Sequence, residues 1–449
     1  MRKGLLMRSK MQMFLEKVSL LITMTIIIIG YQNCGEISAQ KVEAFGVGEV
    51  DNSSGQVPGD GGGDEEEEPS LPENPEVMKP LGVYSSNLSG SNTNNPVVKH
   101  EQSNGVLIRV TWNEVEPRDD QFDFSSIDEK IAIINQNKGN KDFYYTLAIS
   151  AGCGERGDSG YPAWMDGRSD IAKWTIKFRS NLCQSMPKGW DDNYLAELEE
   201  LASELAKKYK ADKNLKMIYV PQATGNGIEG HFNGNFNPND RMDWSPLTSQ
   251  GLSKETWKYA MKEAAVIFAQ AFEDRAVALE LHTIIDRADI PLEAINELYD
   301  DPRTGKRVGA AMWWLFGKDE EQELAQGMTD FRGDVYGQVG ANSTQPLRVG
   351  ECDYSSLLDM AVQMGMRYIE PWDKEFKEGG SSGLDTQAYN VQRENFRKFN
   401  EYVLARFVRG ENPAKPTFEK AEPLELDPDW DPNVNTKKSC PGRYYVEEP

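Results

Sequence analysis

From Leu81 onward the chain alternates short β-rich runs with stretches of helical period, and few architectures accommodate that order. The runs are Leu81–Ser85, Val106–Trp112, Phe143–Ser150, Met217–Ala223, Val277–Ile285, Ala310–Phe316, Leu347–Glu351 and Arg367–Trp372. Between them, Asn193–Tyr209 places Leu195, Leu198, Leu201, Ala202 and Leu205 on one helical face. Ser253–Phe272 opens with a capping serine and continues with Trp257, Met261, Ala264, Ala265 and Phe268, while Ser355–Met364 and Asn390–Phe407 are two further helical stretches. Strands alternating with helices in this number predict an α/β fold, a (β/α)8 TIM barrel in one domain. The competing open, doubly wound sheet loses its main support, because no GxGxxG follows the first strand and no GxxxxGK[ST] occurs.

The chain of 449 residues has a formal charge of −23, which disfavours nucleic acid as a partner because phosphates would be repelled. That charge is unevenly spread. Residues 1–33 hold Arg2, Lys3, Arg8, Lys10 and Lys17 against Glu16 alone, followed by the apolar run Val18–Gly30. The run is short for a membrane span of ~20 residues and fits the core of an export signal. Cys34 follows directly, so the segment resembles a bacterial lipoprotein signal, although Asn33 and Tyr31 stand where small and aliphatic residues are usual. The resemblance implies lipidation at Cys34, export to the cell envelope and an outer-membrane anchor. Residues 34–80 read as a disordered tether, with Gly59–Gly63, Asp64–Glu68 and four prolines from Pro69 to Pro80. Residues 81–410 then form the barrel, and 411–449 an irregular C-terminal extension.

With Cys34 assigned to the lipid, Cys153, Cys183, Cys352 and Cys440 remain, an even number that an oxidising compartment could pair into two disulfides. Four cysteines allow three connectivities, and spacing does not choose among them. No close CxxC pair occurs and the chain has only three histidines, so no metal site or cofactor is expected.

The stretch Gly105–Asn135 (GVLIRVTWNEVEPRDDQFDFSSIDEKIAIIN) has a strand, a Trp, an acid–proline pair at Glu116–Pro117, a Phe-Asp-Phe turn and an Asp-capped helix. It resembles the second strand and helix of clan A glycoside hydrolases, the β-galactosidase and cellulase type. Pro162–Met165, the Gly225–Gly230 turn with Glu229, the run Leu347–Glu351 and the run Met366–Trp372 continue the resemblance in order. It implies that Glu229, past the fourth strand, is the acid/base carboxylate and that Glu351, at the end of the seventh, is the nucleophile. Ile228 stands directly before Glu229 where many relatives carry Asn, and Asn226 lies three positions before it. Glu370 is an alternative carboxylate, two residues before Trp372, which matches the Trp that floors the central sugar subsite in relatives.

Hydrolysis of a glycosidic bond needs two carboxyl groups across the bond, one to protonate the leaving oxygen and one to attack or to activate water. Barrel strands deliver such groups at their C-terminal ends. The expected substrate contacts are Arg109, Trp112, Trp164, Asn226, His231, His282, Trp313 and Trp372, since indole faces stack on the apolar faces of sugars and Arg109 needs an acidic partner within an apolar strand. The expectation is therefore an exported, lipid-anchored barrel that hydrolyses a β-linked oligo- or polysaccharide with retention. Its partners would be carbohydrate and, through the lipid, a membrane. The rival expectation is a catalytically inactive, carbohydrate-binding barrel lipoprotein.

Overall fold

The computed structural model describes residues 77–420 except 155–159, 179–180, 233–242, 318–320, 346–348, 350–352 and 381. The leader, the tether up to residue 76, Cys34, Glu351, Cys352 and Cys440 lie outside the described residues; residues 77–80, expected as the end of the tether, are ordered against the barrel, with Met78 bridging to Arg275 and Lys79 paired with Asp334 at 2.9 Å.

Ten strands are present among the described residues: β1 (Gly82–Ser85), β2 (Gly105–Thr111), β3 (Tyr144–Ser150), β4 (Lys173–Phe178), β5 (Asn181–Pro187), β6 (Leu215–Tyr219), β7 (Ala276–Glu280), β8 (Val308–Leu315), β9 (Val335–Val339) and β10 (Tyr368–Glu370). Eight of them close a barrel in the order β1-β10-β9-β8-β7-β6-β3-β2. Every pairing around it is parallel, and β2 and β3 stay in register over seven residues from Gly105↔Tyr144 to Thr111↔Ser150. The chain is a TIM barrel, as the alternation of its runs predicts.

One strand differs from the expectation. The seventh barrel strand is Val335–Val339, upstream of the run Leu347–Glu351. Its sequence, VYGQV, reads weakly because it contains Gly337 and Gln338. Gly337 is there for packing: a Cβ would sit 2.7 Å from Met366 Sδ and 3.0 Å from Leu315 Cδ2. A strand chosen by what its neighbours press against it escapes a reading based on propensity.

The barrel interior follows from alternation along each strand. Tyr84, Tyr219, Tyr336, Tyr368 and Trp313 project inward beside Ala148, Ala276, Ala278 and Ala311, so large and small residues fill the space together. The rings of Tyr84 and Tyr368 pack edge-on at 4.7 Å. The helices bury the stripes expected of them. Asp191 caps the helix Asp192–Tyr209 by accepting from the Asn193 and Tyr194 amides, and Leu198, Leu201, Ala202 and Leu205 are fully buried. Ser253 and Thr256 form a reciprocal capping box for Lys254–Ala271. After the last helix, Thr386–Phe407, residues 411–420 are irregular; Glu419 exchanges two backbone hydrogen bonds with the Asn395 side chain at 2.7 and 2.9 Å.

Outside the barrel, β4 and β5 pair as an antiparallel hairpin in the connection after β3. The period-two pattern of Trp174, Ile176 and Phe178, all buried, is the signal for it. A disulfide joins Cys183 on β5 to Cys153, just past β3. Of the pairings open to the four cysteines, Cys153–Cys183 is formed; Cys352 and Cys440 lie outside the described residues.

Candidate functional site

The C-terminal ends of the strands carry a polar ring above the aromatic interior. Continuing each strand's inward alternation by one step brings up Arg109 on β2, Tyr219 on β6, Glu280 on β7, Trp313 on β8, Gln338 on β9 and Glu370 on β10. Arg109 is exposed and its guanidinium lies 5.3 Å from the Trp313 ring centroid. No acid pairs with it within 4.0 Å among the described residues. It acts instead as a positive charge felt by both Glu229 and Glu370.

Glu229 reaches this ring through a turn built for close backbone approach. After β6, the Cys153 amide donates to Thr224 O at 3.1 Å and the Gly154 amide to Gly225 O at 3.1 Å, so the turn is stitched to the segment that the disulfide clamps. Gly227 has φ +87, and a Cβ there would collide with the backbone nitrogens of Ala151 and Gly152. Only glycine fits. Asn226 then organises the turn: its Oδ1 accepts from the Ile228 amide at 3.0 Å and the Glu229 amide at 2.8 Å, and its Nδ2 donates to Glu229 Oε2. An Asn three residues before the Glu therefore does touch the carboxylate. The hairpin contributes Phe178, whose ring covers Gly225 and lies 5.6 Å from the His231 ring.

Glu229 Oε2 is 2.7 Å from His231 Nε2. Burial opposes ionisation of Glu229, but His231, His282 and Arg109 outweigh it and hold the carboxyl below its ordinary range. Its neighbour Glu280 behaves oppositely. Glu280 is fully buried, accepts from the Gly230 amide at 2.7 Å and the Trp313 amide at 3.2 Å, and is pushed up to about 8 by that burial, His282 lowering and Glu229 raising it. His282, in the loop after β7, lies between them: its Nε2 is 3.4 Å from Glu280 Oε1 and its Nδ1 3.4 Å from Glu321 Oε1. Burial disfavours the imidazolium, yet the surrounding carboxylates raise His282 to about 9. Glu321 is anchored by the Thr283 amide at 3.2 Å and hydroxyl at 3.0 Å, and sits at φ +47, a left-handed backbone that a side chain rarely adopts.

Glu370 occupies the other side of the ring and has no exposed surface. Tyr368 OH donates to its Oε1, as do Tyr219 OH at 3.2 Å and Thr146 Oγ1 at 3.4 Å, while Gln338 Nε2 donates to Oε2 at 2.6 Å. Burial pushes its carboxyl up to about 7 against those hydrogen bonds and Arg109.

The aromatic residues divide. Trp313 is at the mouth, beneath Arg109 and edge-on to Tyr219 at 5.2 Å. Trp372 donates to Val339 O at 2.6 Å and retains some exposure. Trp164 donates to Glu116 O at 3.2 Å and is partly exposed in the loop after β3. Trp112 has no exposed face: it packs 5.7 Å from the Tyr194 ring and donates to the buried Glu116 Oε2 at 2.6 Å, so a sugar cannot stack on it. Glu114 closes a capping box with Thr111. His100 is buried among Phe376, Tyr389 and Phe396 ring edges, and burial drops it to about 4.

Glu280, Glu321 and Gln338 were not among the sequence candidates. The alternation Ala278, Glu280, His282 is the signal for Glu280. Glu321 carries none, because it arrives from the connection after the sixth barrel strand.

Burial sets a pH dependence of stability. Glu116, Glu370 and Glu375 are each pushed up to about 7 by burial, away from any ordinary unfolded value near 4.5. Each binds its proton more tightly folded than unfolded, so its contribution is complete below about pH 4.5 and is lost as pH rises to 7. His100 works the other way, but only up to its unfolded value of 6.5. Thermal melts should therefore show a Tm at pH 5.5 higher than at pH 8 by about 5 °C or more; a Tm that rises over this interval contradicts the burial argument.

No family model and no curated protein matches this sequence. The catalytic domain of a β-amylase from Paenibacillus polymyxa superimposes with a TM-score of 0.50 at 10% identity, covering 75% of this chain and 100% of that one. A β-galactosidase from Bacillus circulans sp. alkalophilus has a TM-score of 0.47 at 11% identity, covering 73% of this chain and 57% of that one. For endo-glycoceramidase II from Rhodococcus sp. the values are 0.42, 12%, 71% and 81%. The likeness is one of fold. At such identities the chain shares a barrel with glycoside hydrolases, and its chemistry has to be argued from its own residues.

Proposed function

We propose that the chain is an exported barrel protein, lipid-anchored at Cys34, that hydrolyses a β-linked oligo- or polysaccharide at the mouth formed by Arg109, Glu229, Glu280, Trp313 and Glu370. One observation carries the reading: two neighbouring carboxyls at that mouth are driven apart, Glu229 held ionised by its basic neighbours and Glu280 held protonated by burial up to about 8. Acid/base division of labour between two carboxyls arises from such a difference in environment. The ionised state of Glu229 favours nucleophile or base over the proton donor that the family resemblance implies. Arg109, exposed above the buried Trp313, supplies a cationic surface for sugar hydroxyls. Glu351, at the position the resemblance gives to the nucleophile, is the second carboxyl to assay.

The assay is turnover by the mature chain on a panel of aryl β-glycosides and reducing-end release from β-linked polysaccharides. Hydrolysis with retained anomeric configuration supports the reading, and no turnover of any substrate overturns it.

A second reading has its own observation. With the seventh strand at Val335–Val339, the inward residue near its end is Gln338, an amide that holds Glu370 at 2.6 Å. A barrel with no carboxyl at that strand end among the described residues fits a glycan-binding protein that lacks turnover. Saturable binding of a polysaccharide, lost in a folded Trp372→Ala variant and without hydrolysis, would select it.

A further inference from the structure

Two imidazoles converge on Glu229, and hydrolysis by two carboxyls calls for neither. One carboxylate oxygen of Glu229 and one ring nitrogen each from His231 and His282 all lie within 4.8 Å of one another. The surroundings match what a metal-bound imidazole has behind it. His282 Nδ1 faces the Glu321 carboxylate at 3.4 Å, and Glu321 is itself pinned by Thr283. A carboxylate behind the ring keeps a proton on Nδ1, so the proton that an incoming metal ion displaces is the one on Nε2, and the Nε2 lone pair then faces outward. That Nε2 is buried and makes no hydrogen bond, while the nearest acid, Glu280 Oε1, stands 3.4 Å away. Both Glu280 oxygens are engaged by the Gly230 and Trp313 amides. Glu229 is held in place by Asn226 Nδ2, which donates to the same oxygen that faces His231.

We propose that Glu229, His231 and His282 form a divalent transition-metal site at the barrel mouth, with Zn2+ the best-fitting ion and a fourth position open to the cleft. Two nitrogens and one oxygen suit zinc, whereas calcium and magnesium take oxygen ligands. Metal–ligand distances of about 2.0–2.1 Å place tetrahedral ligand atoms about 3.3 Å apart. The 2.7 Å contact between Glu229 and His231 then opens by about half an ångström and the wider pairs contract, within the reach of side-chain rotation. Glu280 stands beside the site with both oxygens engaged by the Gly230 and Trp313 amides and supplies no ligand. The ion would take the Glu229 lone pair, so metal binding and a hydrolytic role for Glu229 exclude each other. The site itself stands whether or not the chain hydrolyses glycans.

The test uses the mature full chain, stripped with chelator and titrated with Zn2+ alone by calorimetry and with Co2+ alone by visible absorption. The expected result is one tight equivalent of Zn2+ and a d–d band for Co2+. His231→Ala and His282→Ala should each weaken Zn2+ by at least about 100-fold, and Glu321→Gln by about 10–100-fold. Melting of the metal-free variants checks that they are folded, and the wild-type Co2+ spectrum remains decisive if one is not. Absence of tight Zn2+ binding overturns the proposal, as does an affinity unchanged in the His231→Ala/His282→Ala double variant, which would put the ion elsewhere, such as on the acidic run Asp64–Glu68. If hydrolysis is found, added Zn2+ should inhibit it and chelator restore it; stimulation by Zn2+ would overturn the mutual exclusion.

Discussion

Glu229→Gln should lower kcat on any accepted aryl glycoside by about 10²–10⁴-fold, the range associated with a positioned proton-transfer group. The substitution preserves shape and leaves the turn intact, because Asn226 Oδ1 still accepts the Ile228 and Glu229 backbone amides. It removes the negative charge that His231, His282 and Arg109 stabilise. Those three groups then face a neutral amide, so ground-state packing changes little while the reacting group disappears. Steady-state kinetics together with a thermal melt separate the two effects. Activity within tenfold of wild type, in a variant with unchanged Tm, would remove Glu229 from the mechanism. Glu351→Gln, assayed beside it, reports whether the carboxyl proposed from sequence matters at all.

Glu370→Ala should destabilise the fold by about 3–5 kcal/mol, since removing one member of a buried hydrogen-bonded cluster leaves its partners unpaired. Tyr368 OH, Tyr219 OH, Thr146 Oγ1 and Gln338 Nε2 all converge on this carboxyl from four different strands. With no exposed surface at Glu370, water cannot replace what is lost. The change corresponds to a Tm lower by about 4–7 °C in a domain of this size. Glu370→Gln should cost less, because an acceptor oxygen remains for the tyrosines and Gln338 can turn its own carbonyl toward the new amide. Thermal or denaturant melts measure both, and a Glu370→Ala Tm within about 2 °C of wild type would show that the cluster rearranges freely. The same saturation argues that Glu370 supports the mouth and does not attack substrate: every donor around it is already committed.

How the site is assembled explains which parts of it were readable. Glu229 was legible because a Gly-rich turn after an apolar strand is a local pattern, and the Gly227 conformation enforces it. His282 was visible as a histidine in a strand-like run, but its role depends on Glu280 and Glu321, one two residues away and the other 39. Trp112 followed the family resemblance and is nonetheless interior, because Tyr194 on a distant helix covers it. His100 sits in a polar stretch and is nonetheless enclosed by three rings from the C-terminal part of the chain.

By itself the sequence determined the class of fold, because the alternation of strand and helix periods is a local property, and the missing GxGxxG and GxxxxGK[ST] removed the support for an open, doubly wound sheet. It also marked the Glu229 turn and the capped helices, which depend on residues within a few positions of one another. Tertiary structure alone decided which segment is the seventh strand, since Gly337 is selected by Met366 and Leu315 pressing on it from elsewhere. It alone paired Cys153 with Cys183, and it alone joined Glu229 and His231 to His282 across the gap between two neighbouring barrel strands. Closing the barrel is what brings those side chains within bonding reach, and no spacing along the chain encodes that distance.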